Sequence, residues 1–560
     1  MNTKKPHITK KDLILLACFT VLFGVLLFVR LGNHEAPETH INLDVNASRD
    51  IVLEFDEYVD VGKVWMFLGY KGDCEFSFFR YDADLQAWET ILEKEAFHSC
   101  MTWNSVDVNT NLYCLGMVLQ NENCEANELV ITDVNGNPLL PANASEYPEL
   151  FDEQELFSGY PTCYDGSMFD EVYHGRTAYE FVHDLPIYEN THPPLGKSLI
   201  GIGIRLFGMN PFGWRFTCAL FGTLMVPLFY VFALMMFKRT EYAVYATLLM
   251  CTGFMNFTLA RISTIDIIVA FFVLCMFFCM YMYLITERSE GWKAEYTWLG
   301  LGGISSGLAM ATKWTGIYAI LGMAILFFAG FMRKIGGLSA VGKERRYVRI
   351  TALVCVISFV VVPLTIYVLS YIPFVQVYPD KSLLQHCIKN SQDMLSYHKG
   401  VTQSHPYSSR WYQWLIDYKP LVDAYDTDAR GMIYCVITFM NPFIAIAGLA
   451  ALIYQCFRFV AKKDRGAGFL LTCFFTMYVP WMFISRTTFI YQYFVPSLFL
   501  PLLITRSSLD IKDIKDKRFW MYFLLIPAVL VFGIYYPYLA GTPIGGEYVS
   551  KMLLHYGWPY

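Results

Sequence analysis

The chain has 560 residues, 55% of them hydrophobic and only 16% charged, with a mean hydropathy of +0.36. That composition excludes a soluble protein of several domains and points to a membrane. Net charge is −6, yet residues 41–150 hold 20 Asp and Glu against 5 Lys and Arg; so acidic a segment repels anionic partners, no basic recognition element stands elsewhere, and nucleic-acid binding is excluded.

A membrane-spanning helix needs about 20 apolar residues. Eleven runs qualify, at 12–31, 212–237, 241–259, 264–286, 297–311, 314–332, 350–372, 432–456, 468–485, 489–505 and 519–540, with a soft boundary between the fifth and sixth. Lys4, Lys5, Lys10 and Lys11 precede the first run, and alternate loops from there are all basic, among them Lys238-Arg239 and the group Arg333 to Arg349. Positive flanks stay cytoplasmic. The N-terminus is therefore expected inside, and the 32–211 segment, the 373–431 loop and the C-terminal tail outside. Leu31-Gly32-Asn33-His34 offers no small-residue cleavage site, so residues 1–40 read as a cytoplasmic tail and an uncleaved first helix.

Residues 41–150 change character. Short runs of strand composition recur at Ile51–Phe55, Val64–Tyr70, Glu75–Tyr81, Asn111–Leu119 and Glu128–Val134, the last closed by Asn135-Gly136, which predicts an inserted β-sandwich. Phe76 to Trp88 resembles the discoidin-like or carbohydrate-binding sandwiches of bacterial surface proteins, and the pattern leaves open whether this domain contacts glycan or only packs. Cys74, Cys100, Cys114 and Cys124 fall within it. In an oxidising compartment they allow two disulfides in three connectivities.

The 151–211 segment holds the densest polar stretch, Phe169-Asp170-Glu171-Val172-Tyr173-His174-Gly175-Arg176, then Thr191-His192-Pro193-Pro194-Leu195-Gly196-Lys197 and an amphipathic run, Leu199 to Phe207, expected to lie in the interface. Adjacent carboxylates on an outer loop are usually solvated. Here they adjoin histidines and a rigid Pro-Pro turn beside the mouth of a helix bundle, where desolvation makes a carboxylate more basic. Asp170, Glu171 and His174 are also compatible with a divalent metal by residue type, although their spacing matches no ligand signature. Within 212–372, which carries the second to seventh helices, Arg215, Arg261, Asp266 and Lys313-Trp314 stand at outer ends of apolar runs. Charges there read as functional by default, and the cations suit a lipid phosphate; an Arg261–Asp266 salt bridge is the structural alternative. The 373–431 loop adds aromatics with His398 and His405, as an interfacial anchor or as the wall of a binding site. Residues 432–560 complete the bundle.

Three blocks carry a more specific signal: Phe169 to Gly175, His192 to Lys197, and Gly307-Leu308-Ala309-Met310-Ala311-Thr312-Lys313-Trp314-Thr315-Gly316. With Tyr397-His398-Lys399-Gly400 and His405-Pro406-Tyr407-Ser408-Ser409-Arg410-Trp411, they resemble the signature blocks of bacterial-type protein O-mannosyltransferases over about residues 160–540. The resemblance implies a GT-C fold and an integral protein of the bacterial plasma membrane. It also implies transfer of a sugar, usually mannose, from a polyprenyl-phosphate carrier to Ser or Thr of a secreted or membrane protein, with inversion. The lipid-linked sugar is then a substrate, and no cofactor or metal is expected. Asp170 becomes the general base and Glu171 the acceptor guide. Arg215, Lys313, Trp314 and Arg261 face the donor phosphate, and His174, His192, Lys197, Asp266, His398, His405 and Gln492 are candidates around sugar or acceptor. Two departures stand out. Eukaryotic members carry a β-trefoil in the later outer loop, for which 373–431 is too short, and Gln492 occupies a place where the family commonly has His. The rival expectations are a GT-C transferase for a wall polymer or lipid, a transporter of lipid-linked sugar, and a surface glycan-binding protein with a helical anchor.

Overall fold

A computed structural model describes residues 5–46, 50–72, 74–400, 403–428 and 430–548. After the first helix, α1 (Lys10–Phe28), the chain builds an antiparallel sheet from β1 (Ile41–Leu43), β2 (Ile51–Leu68), β3 (Cys74–Asp82), β4 (Ala87–Phe97), β5 (Thr102–Leu119), β6 (Cys124–Asp133) and β7 (Pro138–Leu139). The order is β1-β6-β2-β5-β3-β4, with β7 on β6.

The strands join into one continuous sheet in place of the two separate sheets of an ordinary sandwich. β2 and β5 each run 18 residues. The N-terminal half of β2 pairs with the C-terminal half of β5, which also holds β3, whereas the C-terminal half of β2 lies between β5 and β6. Register shifts between Glu54 and Val59 and between Val61 and Lys63 interrupt β2, and such bulges bend a strand. Leu53, Met66, Phe76, Phe78, Leu115 and Ile131, drawn from both halves, share one buried core. The two expected strands 51–55 and 64–70 are thus one bulged strand. Trp88 belongs to β4, whose mostly exposed side chains hid it from a hydrophobicity reading.

The four cysteines of this domain form no disulfide. Cys74 and Cys124 are nevertheless both buried and near enough for each thiol to act on the other, while the Cys100 thiol donates to the Val172 carbonyl at 3.7 Å.

Two helices follow before the bundle, α2 (Glu171–Val182) and α3 (Leu195–Phe207). The second is amphipathic as expected, burying Ile200 and Ile204 and exposing Ile202, Leu206 and Phe207. The bundle then comprises α4 (Pro211–Phe237), α5 (Thr240–Cys251), α6 (Phe254–Leu259), α7 (Asp266–Ile285), α8 (Trp292–Thr312), α9 (Gly316–Ile335), α10 (Arg345–Val356) and α11 (Val362–Leu369). The outer loop contributes α12 (Ile372–Val377), α13 (Leu383–Gly400), α14 (Trp411–Trp414) and strands β8 (Leu421–Thr427) and β9 (Met432–Thr438). It is followed by α15 (Pro442–Lys462), α16 (Arg465–Tyr478), α17 (Phe494–Ser497), α18 (Leu500–Ser508), α19 (Ile514–Ala540) and β10 (Ile544–Gly545), which pairs with β9.

Eight helical segments among the described residues are long and apolar enough to cross a membrane, so the chain is an integral membrane protein. The other three expected runs are helical but different in kind. The run at 241–259 breaks at Thr252-Gly253 into α5 and α6, and Asn441 Nδ2 donates to the carbonyl of Thr252 left there. The run at 297–311 is α8, diluted by Gly, Ser and Thr, and the run at 489–505 is divided where Pro496 and Pro501 fall. The run expected from residue 432 starts later, at Pro442, because residues 432–438 pair as β9 and Asn441 caps the helix by accepting from Phe443 N.

Candidate active site

The Asp170-Glu171 pair stands at the start of α2, just after a backbone irregularity. Phe169 has φ +47°, a left-handed conformation that costs an aromatic residue roughly 1–2 kcal/mol, and it aims the two following side chains in different directions. Glu171 is fully buried. Its carboxylate accepts five N–H groups: Arg215 Nε and Nη2 at 2.8 and 2.7 Å, Trp214 Nε1 at 3.2 Å, and the backbone of Met168 and Ser263 at 3.0 and 2.8 Å. With its lone pairs so occupied, Glu171 clamps α2 to α4 and to the α6–α7 turn. The resemblance implied an acceptor guide at this residue, whereas the bonds of its carboxylate in the structure run to the fold.

Asp170 differs. It occupies the N-cap of α2 yet makes no capping hydrogen bond with its side chain, although an Asp there ordinarily binds an orphan N–H. The carboxyl instead lines a cavity of about 690 Å³. It is only half-buried by surface because it faces this space, but protein atoms ring it closely. Burial pushes its pKa up to about 7, against the pull of Lys313.

Four distant stretches build the cavity. Tyr173 and His174 come from α2, Glu189 to His192 from the loop before α3, Tyr397 and His398 from α13, with His405 near the mouth, and Arg486, Tyr491 and Gln492 from the segment between α16 and α17. Three imidazoles line up along one wall, the His174 and His192 rings 5.9 Å apart and those of His192 and His398 5.4 Å apart. His398 Nε2 lies 2.9 Å from the Thr191 carbonyl, and His174 Nδ1 is buried without a hydrogen-bond partner. Burial is the main cause holding all three below the ordinary imidazole range, His174 at about 3, His398 at about 4 and His192 well below normal. Burial thus favours their neutral form. Gln492 is fixed by accepting from Phe489 N through Oε1 at 3.2 Å.

The expected cations separate into two groups. Lys313 Nζ bonds both oxygens of Asp266 at 2.8 and 3.0 Å and lies 5.3 Å from the centre of the Tyr491 ring on the cavity wall. Trp314 Nε1 donates to the Tyr367 hydroxyl at 3.0 Å. Arg215 and Arg261, expected on the donor phosphate, are turned to structural partners instead. Arg215 donates to Glu171 and to the carbonyls of Leu31 and Gly166. Arg261 donates to the carbonyls of Leu27, Val29 and Arg30 at 2.6, 2.9 and 2.7 Å, the orphan acceptors at the end of α1. Asp266 thus partners Lys313 and not Arg261. Lys197, expected near sugar or acceptor, is buried against Glu189 as an ion pair.

Arg486 was not among the residues the sequence singled out. It lines the cavity, and among the described residues no carboxylate pairs with it. Its signal was its place: a positive residue between the expected spans 468–485 and 489–505, on a side where Lys and Arg are scarce near helix ends. Of the three residues compatible with a metal by type, Glu171 has its carboxylate taken up by five N–H donors.

Two family models match the chain. One is described as dolichyl-phosphate-mannose-protein mannosyltransferase, over residues 207–378, and the other as the C-terminal four transmembrane region of protein O-mannosyltransferase, over residues 383–558. The chain belongs to the protein O-mannosyltransferase family. A polyprenol-phosphate-mannose–protein mannosyltransferase of Mycolicibacterium smegmatis is 26% identical over 452 residues, covering 69% of this chain and 86% of the relative. The corresponding Mycobacterium tuberculosis protein is 26% identical over 447 residues, covering 68% and 84%. The solved Saccharomyces cerevisiae protein O-mannosyltransferase Pmt1–Pmt2 complex bound to the sugar donor shares the fold, with a TM-score of 0.60 at 13% identity, covering 70% of this chain and 90% of that one. This member of the protein O-mannosyltransferase family is a GT-C membrane glycosyltransferase. The outer segment 372–438 holds helices α12 to α14 and the β8–β9 hairpin.

Proposed function

We propose that the chain transfers mannose from a polyprenyl-phosphate carrier to Ser or Thr hydroxyls of extracytoplasmic proteins, with Asp170 as general base. The observation that carries this reading is the division within one dipeptide: Glu171 is saturated by five donors, whereas the Asp170 carboxyl makes no capping bond and faces the cavity with a raised pKa. A base whose pKa lies near the working pH is the most effective kind, contributing about 10²–10⁴-fold.

In the reaction so read, the acceptor oxygen attacks the anomeric carbon from the face opposite the phosphate and passes its proton to Asp170. The carbon–oxygen bond to phosphate breaks, and the lipid phosphate keeps the electron pair. Charge grows on that phosphate. Arg486, which has no carboxylate partner among the described residues, lines this cavity, and Lys313, paired with Asp266, lies behind the Tyr491 ring on its wall; fixed positive charge in a preorganised site stabilises such a leaving group. The neutral imidazoles of His174, His192 and His398 and the amide of Gln492 are hydrogen-bonding partners of the right kind for sugar hydroxyls. The basic flanks of the alternate loops favour an extracytoplasmic cavity, since 32–211 and 373–431 both contribute to it.

The test is mannosyl transfer in reconstituted vesicles supplied with polyprenyl-phosphate mannose and a Thr-rich peptide, read by mass spectrometry. Asp170→Asn should lose about 10²-fold or more. Transfer at the wild-type rate by that variant, or transfer to a wall glycan in preference to the peptide, overturns the reading.

A further inference from the structure

A second cavity, of about 610 Å³, lies between the sheet domain and the segment that leads into α3. It meets the catalytic cavity at one residue, because Tyr188 lines both. Tyr188 is 55% exposed but held in place. Its backbone N–H donates to Glu180 Oε2 at 2.8 Å, Glu180 Oε1 accepts from Arg176 Nε at 2.9 Å, and the Arg176 guanidinium sits 3.7 Å from the centre of the Tyr188 ring. Glu180 is fully buried, so this ion pair fixes a cation–π stack. The preceding residue is pinned as well, Ile187 N donating to the Tyr378 hydroxyl at 2.9 Å. An aromatic ring immobilised between two cavities, with its other face open, is a recognition platform that has already lost its conformational freedom.

The far wall belongs to the sheet domain. Lys71 lies 5.3 Å over the Tyr70 ring. Asn121 and Asn123 accept from Glu75 N and Val45 N through their side-chain oxygens, at 2.7 and 3.0 Å, which leaves their NH₂ groups as donors.

We propose that this groove holds the acceptor polypeptide as an extended chain, with the Tyr188 ring guiding its Ser or Thr into the cavity at Asp170. The inference rests on the function proposed above and adds a role for the sheet domain. Three features select a polypeptide: a wall residue, Tyr188, shared with the cavity where the acceptor hydroxyl must arrive, amide donors suited to backbone carbonyls, and aromatic and cationic faces for side chains. The lipid carrier, by contrast, has to enter from the bilayer and not past the sheet domain.

The full chain in vesicles tests this with polyprenyl-phosphate mannose and two peptides centred on the same Thr, one of five residues and one of twenty. Lys71→Glu and Asn121→Ala should raise KM for the long peptide about tenfold, a change of about 1.4 kcal/mol. KM for the short peptide, kcat, and hydrolysis of the donor in the absence of peptide should stay unchanged. Equal effects on both peptides, no effect on either, or displacement of a soluble wall glycan in place of peptide would overturn the groove. A wild-type protein that hydrolyses donor but mannosylates neither peptide sinks the parent reading itself, an outcome separable from the first three.

Discussion

Glu171 meets the Arg215 guanidinium side-on, Nε donating to one carboxylate oxygen at 2.8 Å and Nη2 to the other at 2.7 Å. Both side chains are buried. Removing one member of such a pair leaves the other charge without compensation, at about 3–5 kcal/mol. Glu171→Gln and Arg215→Leu should therefore lower the thermal transition in detergent well below wild type, whereas Asp170→Asn, which breaks no hydrogen bond of the fold, should leave it close to wild type while abolishing transfer. A Glu171→Gln protein as stable as wild type yet inactive would return Glu171 to the chemistry.

With Asp170 as the proposed base, an acid limb is expected. The pKa of Asp170 is raised to about 7, and only the deprotonated carboxylate accepts a proton, so kcat/KM should fall tenfold per pH unit below about 7 and level off above it. The three imidazoles stay neutral through this range and add no limb of their own. Lys313 lowers the Asp170 pKa and Asp266 raises it. Lys313→Met removes the first influence and unmasks the second, so the residual activity should show its limb at higher pH. A limb that stays in place or moves down in that variant would show that another group titrates.

Much of this site was legible before any coordinates because its residues sit in contiguous blocks: Asp170 with His174, His192, and Lys313 with Trp314 each belong to short motifs whose chemistry the sequence displays. What stayed hidden was which way side chains turn. Nothing in the letters Asp-Glu says that a left-handed Phe169 sends one carboxylate to a cavity and the other to Arg215. Nor does Arg261 at the end of an apolar run reveal that the orphan carbonyls of α1, about 230 residues earlier, take up its guanidinium. Arg486 escaped because it belongs to no block. In the sheet domain, strand composition located most of β2, β3 and β6 and half of β5 but missed β4, an exposed edge strand, and could not show that β2 bends at its bulges to serve both halves.

Arg486 supplies a contrast with Lys313, since among the described residues one cation has no carboxylate partner and the other is paired with Asp266. If it holds the donor phosphate, Arg486→Gln should raise KM for polyprenyl-phosphate mannose about tenfold or more and leave KM for peptide alone. Arg486→Lys should recover part of the loss, keeping the charge without the planar fork that pairs with phosphate. An Arg486→Gln protein that instead loses affinity for peptide would move this residue to the acceptor side.

Cys74 and Cys124 are buried neighbours in the sheet domain, each thiol near enough to act on the other. Exposed to oxidised glutathione, the two thiols should join as a disulfide, each glutathione disulfide consumed yielding two reduced glutathiones. The bridge would close a loop of about 50 residues and stabilise the domain by about 4 kcal/mol in the chain-entropy account. Peptide mapping under non-reducing conditions should recover the 74–124 cross-link, with Cys100 and Cys114 still alkylated as free thiols. Cys74→Ser should remove both the cross-link and the oxidation-dependent rise in the melting temperature. A map that instead joins Cys100 or Cys114 would overturn the pairing, and for Cys100 it would also break the contact of its thiol with the Val172 carbonyl at the root of α2.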